Sequence, residues 1–239
     1  MEQQDILSMT LPELQAAVQE LGEPKFRAKQ IFNWLHQKRV TDFSEMTTLS
    51  LPFRERLASD FCINRLKIAK RLASSVDDTV KYLYELPDGN YVETVCMQYH
   101  HGTSLCISTQ VGCRMGCRFC ASAIAGFVRN LTPAEMLLQI YETERAQNCK
   151  ISSLVLMGIG EPLDNFDNVL RFLQLLSDPN GYGMSLRHVT VSTCGVVPKI
   201  LESSPPRKGE MRLSLTTRAS MPSSCSSSAA PSTLLMSVP

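Results

Sequence analysis

Three cysteines, Cys113, Cys117 and Cys120, lie within eight consecutive positions at the spacing Cys-x-x-x-Cys-x-x-Cys. Each thiolate can bind one iron of a cubane [4Fe-4S] cluster, which leaves the fourth iron open for chemistry. Two other interpretations remain: a structural zinc site with Cys106 or a histidine as fourth ligand, and three unrelated thiols. The spacing favours the cluster, since a structural zinc site normally requires four ligands.

Two further polar sites follow strand-like segments after this loop. Gly158-Ile159-Gly160-Glu161-Pro162 follows an apolar run at 153–157, and its glutamate is available to receive a cationic group. Ser192-Thr193 ends the apolar run 187–193. Because ligand sites in parallel sheets gather at the carboxyl ends of the strands, we expect both sites to lie beside the cysteine loop.

Alternating strands and helices must position these sites. The capping box Thr132-Pro133-Ala134-Glu135 predicts a helix to about residue 147, and a second amphipathic helix is expected over 167–176. The resulting order of strand, helix, strand, helix and strand predicts parallel pairing with right-handed crossovers. The fold class is therefore α/β, in which such strands form either a sheet or a partial barrel.

A β-hairpin precedes the cysteine loop. β-Branched and aromatic runs at 80–86 and 91–97 flank the turn Pro87-Asp88-Gly89-Asn90, and a strand at 105–109 then leads into the loop. Glu93 is either a base at the mouth of a site or the solvent-facing member of an alternating strand, and the pattern alone favours the second. Cys106 is either a redox partner or an additional thiol.

The N-terminal region is predicted to be helical. The capping box Thr10-Leu11-Pro12-Glu13 begins one helix, a second is expected over 25–38, and a third near 51–61. The second helix and its end carry five cations and no acidic residue: Lys25, Arg27, Lys29, Lys38 and Arg39. Such a pattern is typical either of an RNA-facing surface or of a solvated helix face.

Composition narrows the class of protein. The 239 residues are 44% hydrophobic with a net charge of +1, enough for one large domain and a small one, and no stretch of about 18 apolar residues occurs. Nine clustered cysteines without a signal peptide favour metal or redox chemistry in the cytoplasm over disulfides. We expect a helical, RNA-binding domain over 1–64, a β extension over 65–104 and the partial barrel over 105–216.

Five motifs together resemble the radical S-adenosylmethionine (SAM) enzymes that methylate C2 of adenosine, the dual-specificity RNA methyltransferases of the RlmN family. The resemblance covers about residues 5–200, and its motifs are residues 22–30, 92–95, 106–113, 158–163 and 187–198. It implies a partial radical-SAM (βα)6-type barrel, a [4Fe-4S] cluster, S-adenosyl-L-methionine, and substrates in ribosomal and transfer RNA. It also implies an electron donor such as flavodoxin or ferredoxin, and we expect a cytoplasmic monomer.

The resemblance assigns roles to individual residues. Cys113, Cys117 and Cys120 are similar to the cluster ligands, and the cofactor-binding positions correspond to Gly160, Glu161, Ser192 and, at a weaker match, Ser214. Glu93 resembles the general base that removes the ring proton. Cys106 resembles the cysteine that forms a transient disulfide bond with a second, methyl-carrying cysteine near the family's C-terminus. A radical is implied because C2 of adenine is not nucleophilic.

The chain departs from the family pattern after about residue 202. The expected Ser-Leu-His-Ala strand end appears as Ser214-Leu215-Thr216-Thr217, and the tail 217–239 is rich in serine, so we expect it to be disordered or encoded in a shifted frame. No position matches the methyl-carrying cysteine. We therefore expect weak cofactor binding without completed methyl transfer. Two other hypotheses remain: a related radical enzyme acting at another adenine carbon, and a non-catalytic, metal-stabilised RNA-binding module.

Overall fold

The computed structural model describes residues 3–117, 120–124 and 126–196, and the backbone of residues 214–217. The predicted serine-rich tail, apart from Thr217, lies outside the described residues. Within them, no helix is both long enough and apolar enough to cross a membrane.

The N-terminal unit is a small helical bundle closed by a two-stranded parallel sheet. Its elements are β1 (Gln4–Asp5), α1 (Leu11–Glu20), α2 (Phe26–Asn33), α3 (Leu51–Asp60) and β2 (Phe61–Cys62). The predicted capping box forms, since the Glu13 carboxylate accepts from both the backbone N–H and the hydroxyl of Thr10 at 2.8 Å. All three predicted helices are present.

The second helix ends differently from the prediction. Instead of one helix over 25–38, α2 passes at Trp34 into a π-helical turn, Trp34–Lys38, which ends at Arg39 in the left-handed conformation (φ 56°). The wider turn buries both Leu35 and His36 and turns Arg39 inward. Arg39 pairs with the buried Glu144 carboxylate, so it does not belong to the predicted RNA-facing surface.

One seven-stranded sheet forms the centre of the described structure. Its antiparallel half consists of β3 (Lys67–Ala73), β4 (Val80–Glu85), β5 (Tyr91–Tyr99) and β6 (Gly102–Cys106). Its parallel half continues from β6 through β9 (Ile151–Leu156) and β10 (Val189–Thr193) to β11 (Ser214–Thr217). The predicted hairpin thus extends the same sheet as the parallel strands.

The remaining elements surround this sheet. A separate hairpin, β7 (Gln110–Gly112) and β8 (Phe127–Asn130), encloses the cysteine loop, and the crossover helices are α4 (Pro133–Gln147) and α5 (Phe166–Ser177). Twelve residues of α4 are buried, because it packs between the sheet and the helical unit. The parallel strands with their two crossover helices confirm the predicted α/β class and partial barrel.

The helical unit and the sheet share one hydrophobic core. Polar contacts join them as well: the Arg171 guanidinium of α5 pairs with Glu13 at 2.7 Å, and the Tyr141 hydroxyl of α4 lies 2.9 Å from His36 Nδ1. Together with the Arg39 pair, these contacts fasten the bundle to both crossover helices. The bundle is therefore a fixed part of the fold.

Candidate cluster and cofactor site

The β7–β8 hairpin holds the cysteine loop at its base. The Cys113 N–H donates to the Gly126 carbonyl, and within the loop the Cys120 N–H donates to the Cys117 carbonyl, both at 3.0 Å. Gly112 has φ +71°, and a Cβ there would lie 1.7 Å from the Gly126 carbonyl oxygen. The chain can close at this point only with glycine at position 112.

The three predicted cluster ligands share this loop and are all half-buried. Burial raises the pKa of the Cys113 thiol, and the nearby Cys120 and Cys117 raise it further, so the three sulfurs lie close enough for their charges to interact. Within the described ranges, no three candidate ligands converge as they would on a single metal ion. A [4Fe-4S] cluster binds each thiolate to a different iron, and the three thiols of this loop supply the three sulfur ligands that such binding requires.

The Gly-Glu turn after β9 packs beneath the strand that leads into the cysteine loop. A Cβ at Gly158 would lie 2.7 Å from the Ile107 carbonyl, and one at Gly160 would lie 2.6 Å from Cβ of Gln110. We expected these glycines to allow the backbone to approach a ligand. The structure shows that both are also required by contact with the protein itself.

Glu161 is only 3% exposed and uses both carboxylate oxygens within the protein. One accepts the Leu163 N–H at 3.0 Å and the other the Cys194 N–H at 2.8 Å. Its carboxylate therefore joins the Gly-Glu turn to the end of β10, directly after Ser192-Thr193. We expected this carboxylate to be available to a cationic group. Both of its oxygens accept hydrogen bonds within the protein, so little of the carboxylate is accessible.

Gln110 connects the turn to the cysteine loop, a role that the sequence did not reveal. Its fully buried side chain accepts from the Glu161 N–H at 2.8 Å and donates to Asn130 and Asp164, each at 2.8 Å. Asp164 in turn pairs with Arg114, inside the loop, at 2.9 Å. The available signal was a polar residue between Thr109 and Val111, directly before the cysteine loop, and such a residue is also common in ordinary strands.

The sheet register places the other predicted site residues on one face. Val95, Cys106, Val155 and Thr190 are neighbours across β5, β6, β9 and β10. Side chains alternate along a strand, so Glu93 and Ser192, each two positions from a member of this row, share its face. Helix α4 covers the opposite face, and its Gln139 contacts Thr94 and Ser108 there. Glu93, Cys106 and Ser192 thus line the side of the sheet that α4 leaves open.

Lys81 is the partner of Glu93. Its ammonium lies 2.5 Å from the Glu93 carboxylate, and both side chains are 40% exposed. The Glu93 carbonyl accepts from the Ser108 hydroxyl at 2.6 Å, which fixes this part of β5 beside the strand entering the cysteine loop. The carboxylate is therefore solvent-accessible and held on the open face by a cation.

Cys106 lies at the carboxyl end of β6 on the same face. Burial raises the pKa of its thiol, and a hydrogen bond from the Met157 N–H opposes that effect. Ser214 begins the edge strand β11, where the register pairs it with Thr190, whereas Ser192 pairs with Thr216. The backbone of Ser214 thus lies two positions before the level of Ser192, at the edge of the same sheet.

The predicted RNA-facing cations divide into two groups. Lys25 and Lys29 are exposed on α2, and Lys38 is exposed over the Trp34 ring at 3.3 Å. Arg27 is half-buried between Glu23 and the Thr48 carbonyl. The exposed cationic face is therefore smaller than the five residues that the sequence predicted.

Comparison with known proteins agrees with this arrangement. Residues 107–208 match the Radical SAM superfamily, and residues 4–63 match the ribosomal RNA large subunit methyltransferase N-terminal domain. The crystal structure of a radical SAM methyltransferase from Sphaerobacter thermophilus superposes with a TM-score of 0.80 at 33% identity, over 89% of this chain and 62% of that one. Fold and cysteine loop thus define a radical SAM protein.

Sequence relatives define the family within this class. A protein of Lachnoclostridium phytofermentans named "Probable dual-specificity RNA methyltransferase RlmN" is 53% identical over 82% of this chain and 55% of its own length. Its namesake in Clostridium novyi is 48% identical over 83% of this chain and 58% of its own length. The chain belongs to the RlmN family. It spans between half and two thirds of the length of these relatives.

Proposed function

We propose that this chain carries the cluster-binding and cofactor-binding part of a radical SAM enzyme that methylates C2 of adenosine in ribosomal and transfer RNA. One observation carries the proposal: the loop with Cys113, Cys117 and Cys120 lies at the carboxyl edge of a sheet whose open face bears Glu93, Cys106 and Ser192. The names of the relatives give RNA as the substrate, and the matched N-terminal family model adds ribosomal RNA. Transfer RNA and the C2 position are what the resemblance of the sequence motifs implies. Such substrates imply a cytoplasmic protein.

The three thiolates would hold a [4Fe-4S] cluster, and Gly160, Glu161 and Ser192 would form the adjoining cofactor site. When bound, cluster and S-adenosylmethionine supply a one-electron cleavage that produces a carbon radical. The residues of the chain position the cysteine loop and the Gly-Glu turn relative to each other. Gln110 and Asp164 hold the cysteine loop against the Gly-Glu turn, and the Glu161 carboxylate fixes the turn to the end of β10.

Glu93 and Cys106 would act on the substrate side of the open face. The Glu93 carboxylate is accessible and can accept a proton from a base docked over the face, while Lys81 holds it in place. Cys106 would attack the sulfur that joins a methyl-carrying cysteine to the base. The sulfur–sulfur bond would form as the sulfur–carbon bond breaks, the methylated base would leave with the electron pair and take up a proton, and an external reductant must then reduce the disulfide.

Anaerobic reconstitution with iron and sulfide tests the proposal. We expect about four irons per chain, a cluster absorption band and binding of S-adenosylmethionine measured by equilibrium dialysis. Cys117→Ser should lose the band, whereas Cys62→Ser, in the helical unit, should keep it. Zinc without iron would contradict the proposal and favour the metal-stabilised RNA-binding module.

The same sample tests whether binding leads to methyl transfer. With unmodified transfer RNA and a reductant such as reduced flavodoxin, we expect no 2-methyladenosine above background, because no described residue matches the methyl-carrying cysteine. Mass spectrometry of the digested RNA measures the product. Detection of 2-methyladenosine would refute this expectation, and a product methylated at another adenine carbon would favour the related enzyme.

A further inference from the structure

Two cysteines outside the candidate site line one cavity beyond the open face of the sheet. Cys96 lies on β5 and points to the side covered by α4, and Cys149 lies in the turn between α4 and the start of β9. Both line an open cavity of about 370 Å³, together with Gln98 and Gln147. More than fifty positions separate the two cysteines, and nothing in the sequence marks them as partners.

The two thiols lie close enough for each to affect the pKa of the other. Burial raises the pKa of Cys96 to about 11, and the contact with Cys149 adds to that effect. Burial and the nearby Glu144 carboxylate raise the pKa of Cys149 as well, and the neighbouring Thr103 and Cys96 only partly oppose them. Cys149 is the more exposed thiol of the pair, so a reagent from solvent reaches it first.

Cys149 is also accessible from a second, basic cavity. This cavity has a volume of about 700 Å³ and is lined by five cations and two acids, the cations being Lys38, Arg39, Arg65, Arg145 and Lys150. Arg39 is paired with Glu144, and Lys150 lies over the Tyr182 ring at 3.7 Å. Arg65 and Arg145 both pair with Glu142, so positive charge still exceeds negative charge around this cavity and favours the approach of an anionic reagent to Cys149.

We propose that Cys96 and Cys149 form a redox-active thiol pair, which a small anionic disulfide such as oxidised glutathione converts into an intramolecular disulfide. The Cys149 thiolate attacks one sulfur of the oxidant, forms a mixed disulfide and releases one glutathione thiolate. Cys96 then loses its proton and attacks the Cys149 sulfur, which releases the second glutathione thiolate. The protein loses two electrons and two protons, and the oxidant becomes two thiols.

Peptide mapping of the cluster-loaded protein tests this proposal. After anaerobic incubation with oxidised glutathione and digestion without reductant, we expect one linked pair of peptides that contains Cys96 and Cys149. Its mass should be lower by the two thiol hydrogens, and dithiothreitol should separate the pair. Cys149→Ser should abolish the linkage, whereas Cys62→Ser, remote from both cavities, should leave it intact.

A charge variant tests the role of the basic cavity. Lys150→Gln should slow linkage by oxidised glutathione roughly two- to fivefold, and should leave the rate with uncharged hydroxyethyl disulfide unchanged. A stable glutathione adduct on Cys149 without linkage to Cys96 would overturn the proposal. Oxidation of other thiols while Cys96 and Cys149 stay reduced would also overturn the proposal. This outcome is measured on the wild-type protein and needs no variant.

Discussion

Gly112→Ala is the substitution that tests most directly how the cysteine loop is closed. A Cβ at Gly112 would lie 1.7 Å from the Gly126 carbonyl oxygen, about half an ordinary contact distance, and the neighbour is backbone that cannot rotate away. The substitution must therefore separate β7 from β8 at the base of the loop. Gly89 provides a matched control, because it has a similar φ of +81° and nothing lies within 4 Å of its Cβ position.

The comparison of the two variants isolates the steric contact. Left-handed backbone costs an alanine about 1–2 kcal/mol in either variant, and overpacking adds about 1–3 kcal/mol at Gly112 alone. For a chain of this size, about 2 kcal/mol of extra destabilisation lowers the melting temperature by about 4–8 °C. Thermal unfolding measures this difference, and iron analysis after reconstitution shows whether the loop still holds a cluster.

We expect Gly89→Ala to retain iron and Gly112→Ala to lose most of it. Equal melting temperatures for the two variants would refute the steric argument. Full iron content in Gly112→Ala would show that the cysteine loop does not depend on closure at Gly126.

Two further predictions concern buried polar groups. Glu161→Gln replaces an acceptor of a buried backbone N–H with a donor, so it should lower the free energy of unfolding by about 1–3 kcal/mol in a urea titration, whereas exposed Glu55→Gln should change it little. An unchanged value would mean that the carboxylate does not hold the turn. His36 has a pKa lowered from 6.5 to about 4 by burial, so its stabilising contribution is present above pH 6.5 and is lost as the pH falls towards 4, by up to about 3 kcal/mol. His36→Gln should flatten the stability profile in this window, exposed His188→Gln should not, and equal slopes for both variants would contradict the assignment.

Local signals predicted most of the elements. Both capping boxes form as expected, and Thr132 accepts from the Glu135 N–H at 3.2 Å. The Asp-Gly turn joins β4 and β5 at the predicted place. Each of these caps and turns depends on interactions within three or four residues, so the local sequence is enough to predict it. The α/β class followed from the order of such elements, whereas the partial barrel was implied by the family resemblance.

The sequence could not reveal what depends on distant partners. Strand β3 was missed because all its residues are exposed and no alternation marks it, and only pairing with β4 makes it a strand. The inward turn of Arg39 depends on Glu144, more than a hundred positions later. The cysteine spacing predicted a cluster loop, but the internal use of the Glu161 carboxylate depends on two backbone N–H groups, which no residue type encodes.

The fixed attachment of the helical bundle sets the distance between its exposed lysines and the cysteine loop. Since Glu13 and His36 bind it to both crossover helices, the exposed Lys25 and Lys29 stand at a constant separation from the thiol loop. If these lysines bind a phosphate of a folded RNA, as the proposed function implies, only a base at a matching distance from that phosphate can reach the cysteine loop. The target nucleotide would then be selected by its distance from the bound RNA phosphate, in addition to any direct recognition of the base.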